Sequence, residues 1–189
     1  MQLRAVGFVA ATLLIPSVGM AEFVYTGVEV SYVDVDLDIG NLDVEGDGYR
    51  FSGSMQLNDQ LFLHGHWEDQ NFDFDVDGTE LEVGAGFWHS FSNTLDFVAT
   101  LSYVNQEVES GGFSIDDDGL GLGAGIRTQL TDAFQIEASL QYVNFDEGGS
   151  DTGVSILGRY YFTDRFAFML RSELADDIDT LSLGFRAEF

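Results

Sequence analysis

Charged side chains in this chain recur on alternate positions, and that spacing limits the chemistry open to them. Glu29, Arg50, Glu82, Asp96, Arg127, Glu137, Arg159, Arg171, Glu173, Arg186 and Glu188 each stand between two uncharged neighbours. Successive side chains of an extended strand point to opposite faces, so charges spaced this way collect on one face. Buried charges need partners, and mixed arginines and carboxylates supply each other with charge-assisted hydrogen bonds. The set therefore reads as an ion-pair network filling a polar interior. Its sharper alternative is the selectivity lining of a narrow pore.

Three further groupings carry weaker chemistry. His64, His66 and Glu68 share one strand face, a spacing suited to a transition metal, but nothing in the sequence supplies the remaining ligands. Asp73, Asp75 and Asp77, followed by Gly78, open like a calcium loop, but Gly84 stands where the closing Glu is required. These three are weak metal candidates. Asp34, Asp36, Asp38 and Glu45 are likewise incomplete, with Ile39 in place of the turn glycine. Weakly held Ca²⁺ or Mg²⁺ at these acidic loops is the only cofactor expectation. The glycines at 119, 121, 123 and 125 lack the strand-to-helix setting of a nucleotide loop; they read as space inside the strand or as a device for curvature. No catalytic constellation is seen, so the expectation is that the protein is not an enzyme.

The elements that position these charges are strands. From Phe23 onward the chain alternates with a period of two, ten times over. The opposite face carries residues such as Val28, Val30, Tyr49, Phe51, Leu122, Ile126, Phe168 and Leu183, and no Asp, Glu, Lys or Arg. A soluble β-sandwich or lipocalin turns its apolar face inward. A charge-free exterior around a charged interior is the pattern of a transmembrane β-barrel, where a charge at the bilayer midplane costs about 2–4 kcal/mol. Connections alternate long and short. The short ones share a signature, as in Leu57-Asn58-Asp59-Gln60-Leu61 and Phe162-Thr163-Asp164-Arg165-Phe166. The long ones are read as acidic loops over 33–47, 69–78, 105–118 and 144–151. Tyr32, Tyr49, Trp67, Tyr103 and Tyr142 fall beside them, as an interfacial girdle would.

Composition agrees. The formal net charge is −26, which excludes nucleic acid as a partner because nothing would neutralise phosphates. There is no Cys, hence no disulfide framework. Residues 1–21 read as a signal peptide: Arg4, an apolar run from Ala5 to Ile15, and a small-residue cleavage site ending at Ala21. Residues 22–189 form one domain.

The last strand runs Leu181-Ser182-Leu183-Gly184-Phe185-Arg186-Ala187-Glu188-Phe189. With the leader and the ten alternating segments, it resembles the bacterial outer-membrane β-barrel domain family, whose best-known relatives are the OmpA-type and OmpX-type barrels. The chain more closely resembles small ten-stranded proteins once described as secreted, sulfation-dependent signalling factors. The matching stretches are Leu81-Glu82-Val83-Gly84-Ala85-Gly86-Phe87, Gly125-Ile126-Arg127-Thr128 and the acidic loops. The resemblance implies an outer-membrane location and a role for Phe189 as a signal to the barrel-assembly machinery.

The expectation is thus an all-β, antiparallel up-and-down transmembrane barrel of ten strands, with eight as the alternative count. It would be a monomeric integral protein of the cell outer membrane, in contact with lipid and lipopolysaccharide. Its role would be structural or one of surface interaction through the acidic loops. The alternatives are a narrow, porin-like passive channel and a soluble periplasmic ligand-binding barrel.

Overall fold

A computed structural model describes residues 23–39, 42–73, 76–175 and 178–189. Residues 1–21, expected to be a signal peptide, lie outside them. The strands are β1 (Gly27–Ile39), β2 (Leu42–Gln56), β3 (Leu61–Phe72), β4 (Val76–Ser92), β5 (Leu95–Ser110), β6 (Phe113–Thr131), β7 (Phe134–Phe145), β8 (Ser150–Tyr161), β9 (Phe166–Ala175) and β10 (Ile178–Glu188). Each pairs antiparallel with its neighbour in sequence, and β1 pairs with β10, so the sheet closes into a ten-stranded barrel. Closure satisfies every strand edge, which a membrane demands of any sheet that crosses it.

Three of the four short connections are fixed by their own side chains. Asn58 Oδ1 accepts the amides of Gln60 (2.9 Å) and Leu61 (3.0 Å). Thr163 Oγ1 does the same for Arg165 (3.3 Å) and Phe166 (3.1 Å). Ser92 Oγ takes the Thr94 amide at 3.2 Å. Short polar side chains that bond their own backbone two or three residues on are what shape such turns. This explains the repeated signature.

The acidic stretches read as long loops are, for the most part, strand. β1 and β2 stay in register from Gly27↔Ser54 to Ile39↔Leu42, and β5 and β6 from Leu95↔Thr128 to Ser110↔Phe113. The second hairpin turns on Gly111 and Gly112, whose positive φ values (59° and 85°) suit glycine. The physical reason was visible in part: Val33, Val35 and Leu37 alternate with acids, and alternation is a strand pattern whether or not charge is present. The β7–β8 connection opens into a broader turn, at residues 146–149.

Every apolar residue of the expected exterior belt points outward, including Val28, Phe51, Leu122, Ile156, Phe168 and Leu183, each at least 45% exposed. An interior ligand carrier needs the reverse arrangement. The girdle residues Tyr32, Tyr49, Trp67, Tyr103 and Tyr142 are also exposed. Tyr32 meets Tyr49 edge-on at 5.7 Å between centroids, and Phe51 stacks on Trp67 at 5.9 Å. At the short-turn end, Phe162 stacks on Phe166 at 6.2 Å.

Candidate functional site: a layered lumen

The interior is built in three layers. The lowest, at the short-turn end, is aromatic. Phe23, Tyr25, Phe62, Trp88 and Val98 form a buried cluster. Tyr25 stacks on Trp88 at 4.1 Å and approaches Phe62 at 5.1 Å. Phe23 and Tyr25 precede β1, so the segment entering the first strand itself helps fill this end. The Phe62 ring occupies the space left by Gly86, whose missing Cβ would fall inside it.

Above this layer lie the charges. Glu29 is the hub: Arg186 Nη1 donates to its Oε1 at 2.6 Å, Arg159 Nη2 to the same oxygen at 3.2 Å, and Arg171 Nη2 to Oε2 at 3.3 Å. A second carboxylate, Glu137, takes Arg127 Nη2 at 2.9 Å and Arg159 Nη1 at 3.1 Å. Arg50 pairs with Glu68 and, at 2.6 Å, with Glu173, which lies 4.0 Å from Arg171. Arg186 Nε also reaches Glu188 at 2.7 Å, and Tyr161 donates to that carboxylate at 2.7 Å. Asp96 accepts from the Tyr25 hydroxyl at 2.7 Å, and the Arg127 guanidinium lies over the Tyr25 ring, 4.6 Å from its centre. That last contact ties the charged layer to the aromatic one.

All the lumen charges expected from alternation therefore face the interior, and most meet a partner of opposite sign. Glu82 differs. Its partner is His64, at 3.3 Å. His66 pairs with Glu80 at 2.7 Å, and Gln106 donates to the same carboxylate at 2.6 Å. The two histidines are thus divided between two glutamates instead of converging. Among the described residues no group of three or more His, Asp or Glu is arranged to hold a metal. Asp75 lies outside the described residues. Asp73 and Asp77 are exposed on the β3–β4 hairpin, where Asp77 stands opposite Asn71 and Glu109.

Sequence reasoning omitted Glu68, Glu80, Tyr25 and Tyr161 from the network. Parity alone would have found Glu80, since it shares its face with Glu82. The hydroxyl partners carried no such signal, because a tyrosine at an inward position reads as apolar filling. The run of alternate glycines in β6 makes room within the wall: a Cβ on Gly121 would come within 2.5 Å of Ser102 Oγ.

The uppermost layer is apolar. Val33, Val35, Val104 and Phe145 are buried inside the barrel beyond the level of the girdle, while Asp34, Asp36 and Asp47 point outward. Between the aromatic and upper layers lie two cavities of about 170 and 200 Å³, the first mainly polar and the second mixed, that share His66, Glu82, Gln141, Ser155, Arg171 and Glu173. The arrangement can hold water and small polar solutes.

No protein-family model matches the chain. No curated protein matches it. Among solved structures the chain is similar to Ail, the attachment invasion locus protein of Yersinia pestis, at 16% identity over 87% of this chain and 97% of that one, with a TM-score of 0.44. It is also similar to the KdgM porin (13% identity, 85% and 99% covered, TM-score 0.46). The N-terminal β-barrel domain of Pseudomonas aeruginosa OprF is a third (15%, 87% and 99%, 0.47). At these identities and scores the roles of those proteins do not transfer to this chain.

Proposed function

We propose that the protein is an integral outer-membrane barrel with a structural or surface-interaction role, closed to free diffusion and presenting acidic hairpins to the exterior. One observation carries this reading. The outward face changes from apolar to acidic at the girdle tyrosines, as at Tyr32 and Asp34, with no change of strand register. A wall that meets hydrocarbon below an aromatic ring and water above it accounts for that change. On this reading the short turns and both ends of the domain lie in the periplasm. The acidic hairpins meet anionic lipopolysaccharide through shared divalent cations, since like charges otherwise repel. Phe189, exposed and bonded through its amide to the Thr26 carbonyl (3.2 Å), is the candidate assembly signal.

The closed lumen is supported by the aromatic layer and by ion pairs that cross the interior. The narrow channel is the second reading, favoured by the two cavities that share polar lining residues. Membrane fractionation with heat-shifted gel mobility tests the membrane reading, and a protein recovered in the soluble periplasm would end it. Planar-bilayer recording separates the two barrel readings: a silent barrel is expected, and discrete conductance steps would favour the channel. Assembly of a Phe189→Asp variant at the normal level would remove the signal role.

A further inference from the structure

The chain enters the barrel before its first strand begins. β1 starts at Gly27, and so does its ladder with β10. Residues 23–25 therefore lie outside the sheet, yet Phe23 and Tyr25 are only 7% and 2% exposed. Thr26 is the fixed point: its carbonyl accepts the Phe189 amide at 3.2 Å and its hydroxyl the Gln56 amide at 3.0 Å. Beyond it the segment is held by contacts with side chains of the lumen wall. Tyr25 lies against Trp88 and Phe62, beneath the Arg127 guanidinium, and donates to Asp96. Arg186 Nη2 donates to the Val24 carbonyl at 3.3 Å. The expected cleavage after Ala21 would make this segment the free end of the mature chain.

Above this segment the interior holds open space. The first cavity has Tyr25, Phe62 and Val98 at its lower end and reaches past Arg127 and Glu137. It shares His66, Glu82 and Gln141 with the second, which extends to Val104, Phe145 and Ile178. Ile178 and Asp151 line that second cavity and are themselves exposed, at the end away from the short turns. The ion pairs line these cavities and leave space at their own level. The aromatic end is different. Eight strands enclose an interior that wall side chains can fill. Ten enclose more, and here two rings from outside the sheet complete the filling.

We propose that residues 23–25 are a tethered plug, hinged at Thr26, that closes the short-turn end of the lumen and can leave it while every strand stays paired. The inference rests on the membrane reading above and deepens its closed barrel: the seal is a segment that the chain can withdraw. Three features fit a removable closure. The plug's contacts lie outside the strand ladder, so withdrawal leaves the register of β1 with β10 and β2 intact. Arg127 keeps Glu137, and Arg186 keeps Glu29 and Glu188, when Tyr25 and Val24 leave. Asp96, 1% exposed, accepts from the Tyr25 hydroxyl while the plug is in place, and withdrawal admits water to that carboxylate, so it is satisfied in both positions.

The test is single-channel recording in planar bilayers on the full mature chain, with insertion scored in parallel by heat-shifted gel mobility. The native barrel should be silent. Phe23→Ala with Tyr25→Ala, which removes both rings, should show discrete openings at least tenfold more often. Tyr25→Phe, which keeps the ring and loses the bond to Asp96, should open at a frequency between the two. Phe91→Ala removes an aromatic ring exposed at the same end of the barrel and should stay silent. A double variant that inserts and remains silent would overturn the plug. So would equal opening in Phe91→Ala, which marks a loosened wall. Where the double variant does not insert, Tyr25→Phe decides: openings above the native level support the plug, and silence overturns it. A native barrel that conducts refutes the closed reading and the plug together. A native chain that does not insert refutes the membrane reading and both with it, whereas a silent native barrel with silent variants refutes the plug alone.

Discussion

The belt below the girdle and the hairpins above it are built on the same strands with opposite chemistry. In β1, Val28 and Val30 face out while Glu29 and Ser31 face in; four residues on, Asp34 and Asp36 face out while Val33 and Val35 are buried. The same exchange occurs in β5 between Tyr103, which faces out, and the inward Val104. No bulge intervenes in β1 between its two zones. Side-chain direction is therefore set by the strand, and the kind of residue placed there is set by what lies outside. Each zone has a different reason to hold together. The upper one buries apolar side chains such as Val33, Val35 and Val104, whereas the lower one has no apolar core at its middle and relies on ion pairs.

That contrast can be broken at its strongest point first. Glu29→Gln should remove the shared partner of Arg159, Arg171 and Arg186 and cost about 3–5 kcal/mol, the range for breaking a buried pair. Denaturant unfolding of the barrel in lipid vesicles measures it. Next comes the belt. Ile126→Arg should cost about 2–4 kcal/mol and reduce inserted barrel, whereas Glu107→Arg, outward on the upper hairpin, should leave insertion unchanged. Equal losses from both would erase the distinction between zones. In the upper core, Val33→Ala should cost about 1.5 kcal/mol, from two buried carbons lost. The same truncation at Val83 should change stability little, because that side chain stands exposed on the outer face.

The smallest effect concerns pH. Asp118, on the outer extension of β6, accepts from the Tyr103 hydroxyl and, at 2.9 Å, from Asn105 Nδ2. These bonds, the tyrosine's first, hold its carboxyl below the ordinary carboxylate value. A depressed value means a contribution that is present above the ordinary carboxylate range and fades as pH falls through the lowered one. NMR titration of Asp118 should show the low value in the native protein and a rise in Tyr103→Phe. An unmoved titration in that variant would show that the girdle and the outer hairpins are not coupled there.

Much of this was open to reading along the chain. Period-two alternation assigned the face of Glu29, Arg127 and Arg186, and an uncharged opposite face at Ile126, Phe168 and Leu183 set the belt. The acidic hairpins were harder, because charge density suggested loops where the buried Val33 and Val35 show strand. The divided histidines were not legible either, since Glu80 and Glu82 lie a strand away from His64 and His66.

The sequence by itself determined the two faces of the strands and the level at which the outward residues change from apolar to acidic, because both depend on spacing within a few neighbouring residues. Only the tertiary structure decided who pairs with whom across the interior. Glu29 meets Arg159, Arg171 and Arg186 from separations of 130, 142 and 157 residues. Those meetings exist because β1 closes on β10 in one register, which brings the two ends of the chain onto a common wall. Register acts on the whole sheet at once, so no local pattern encodes it. The same closure buries Tyr25 beneath Arg127.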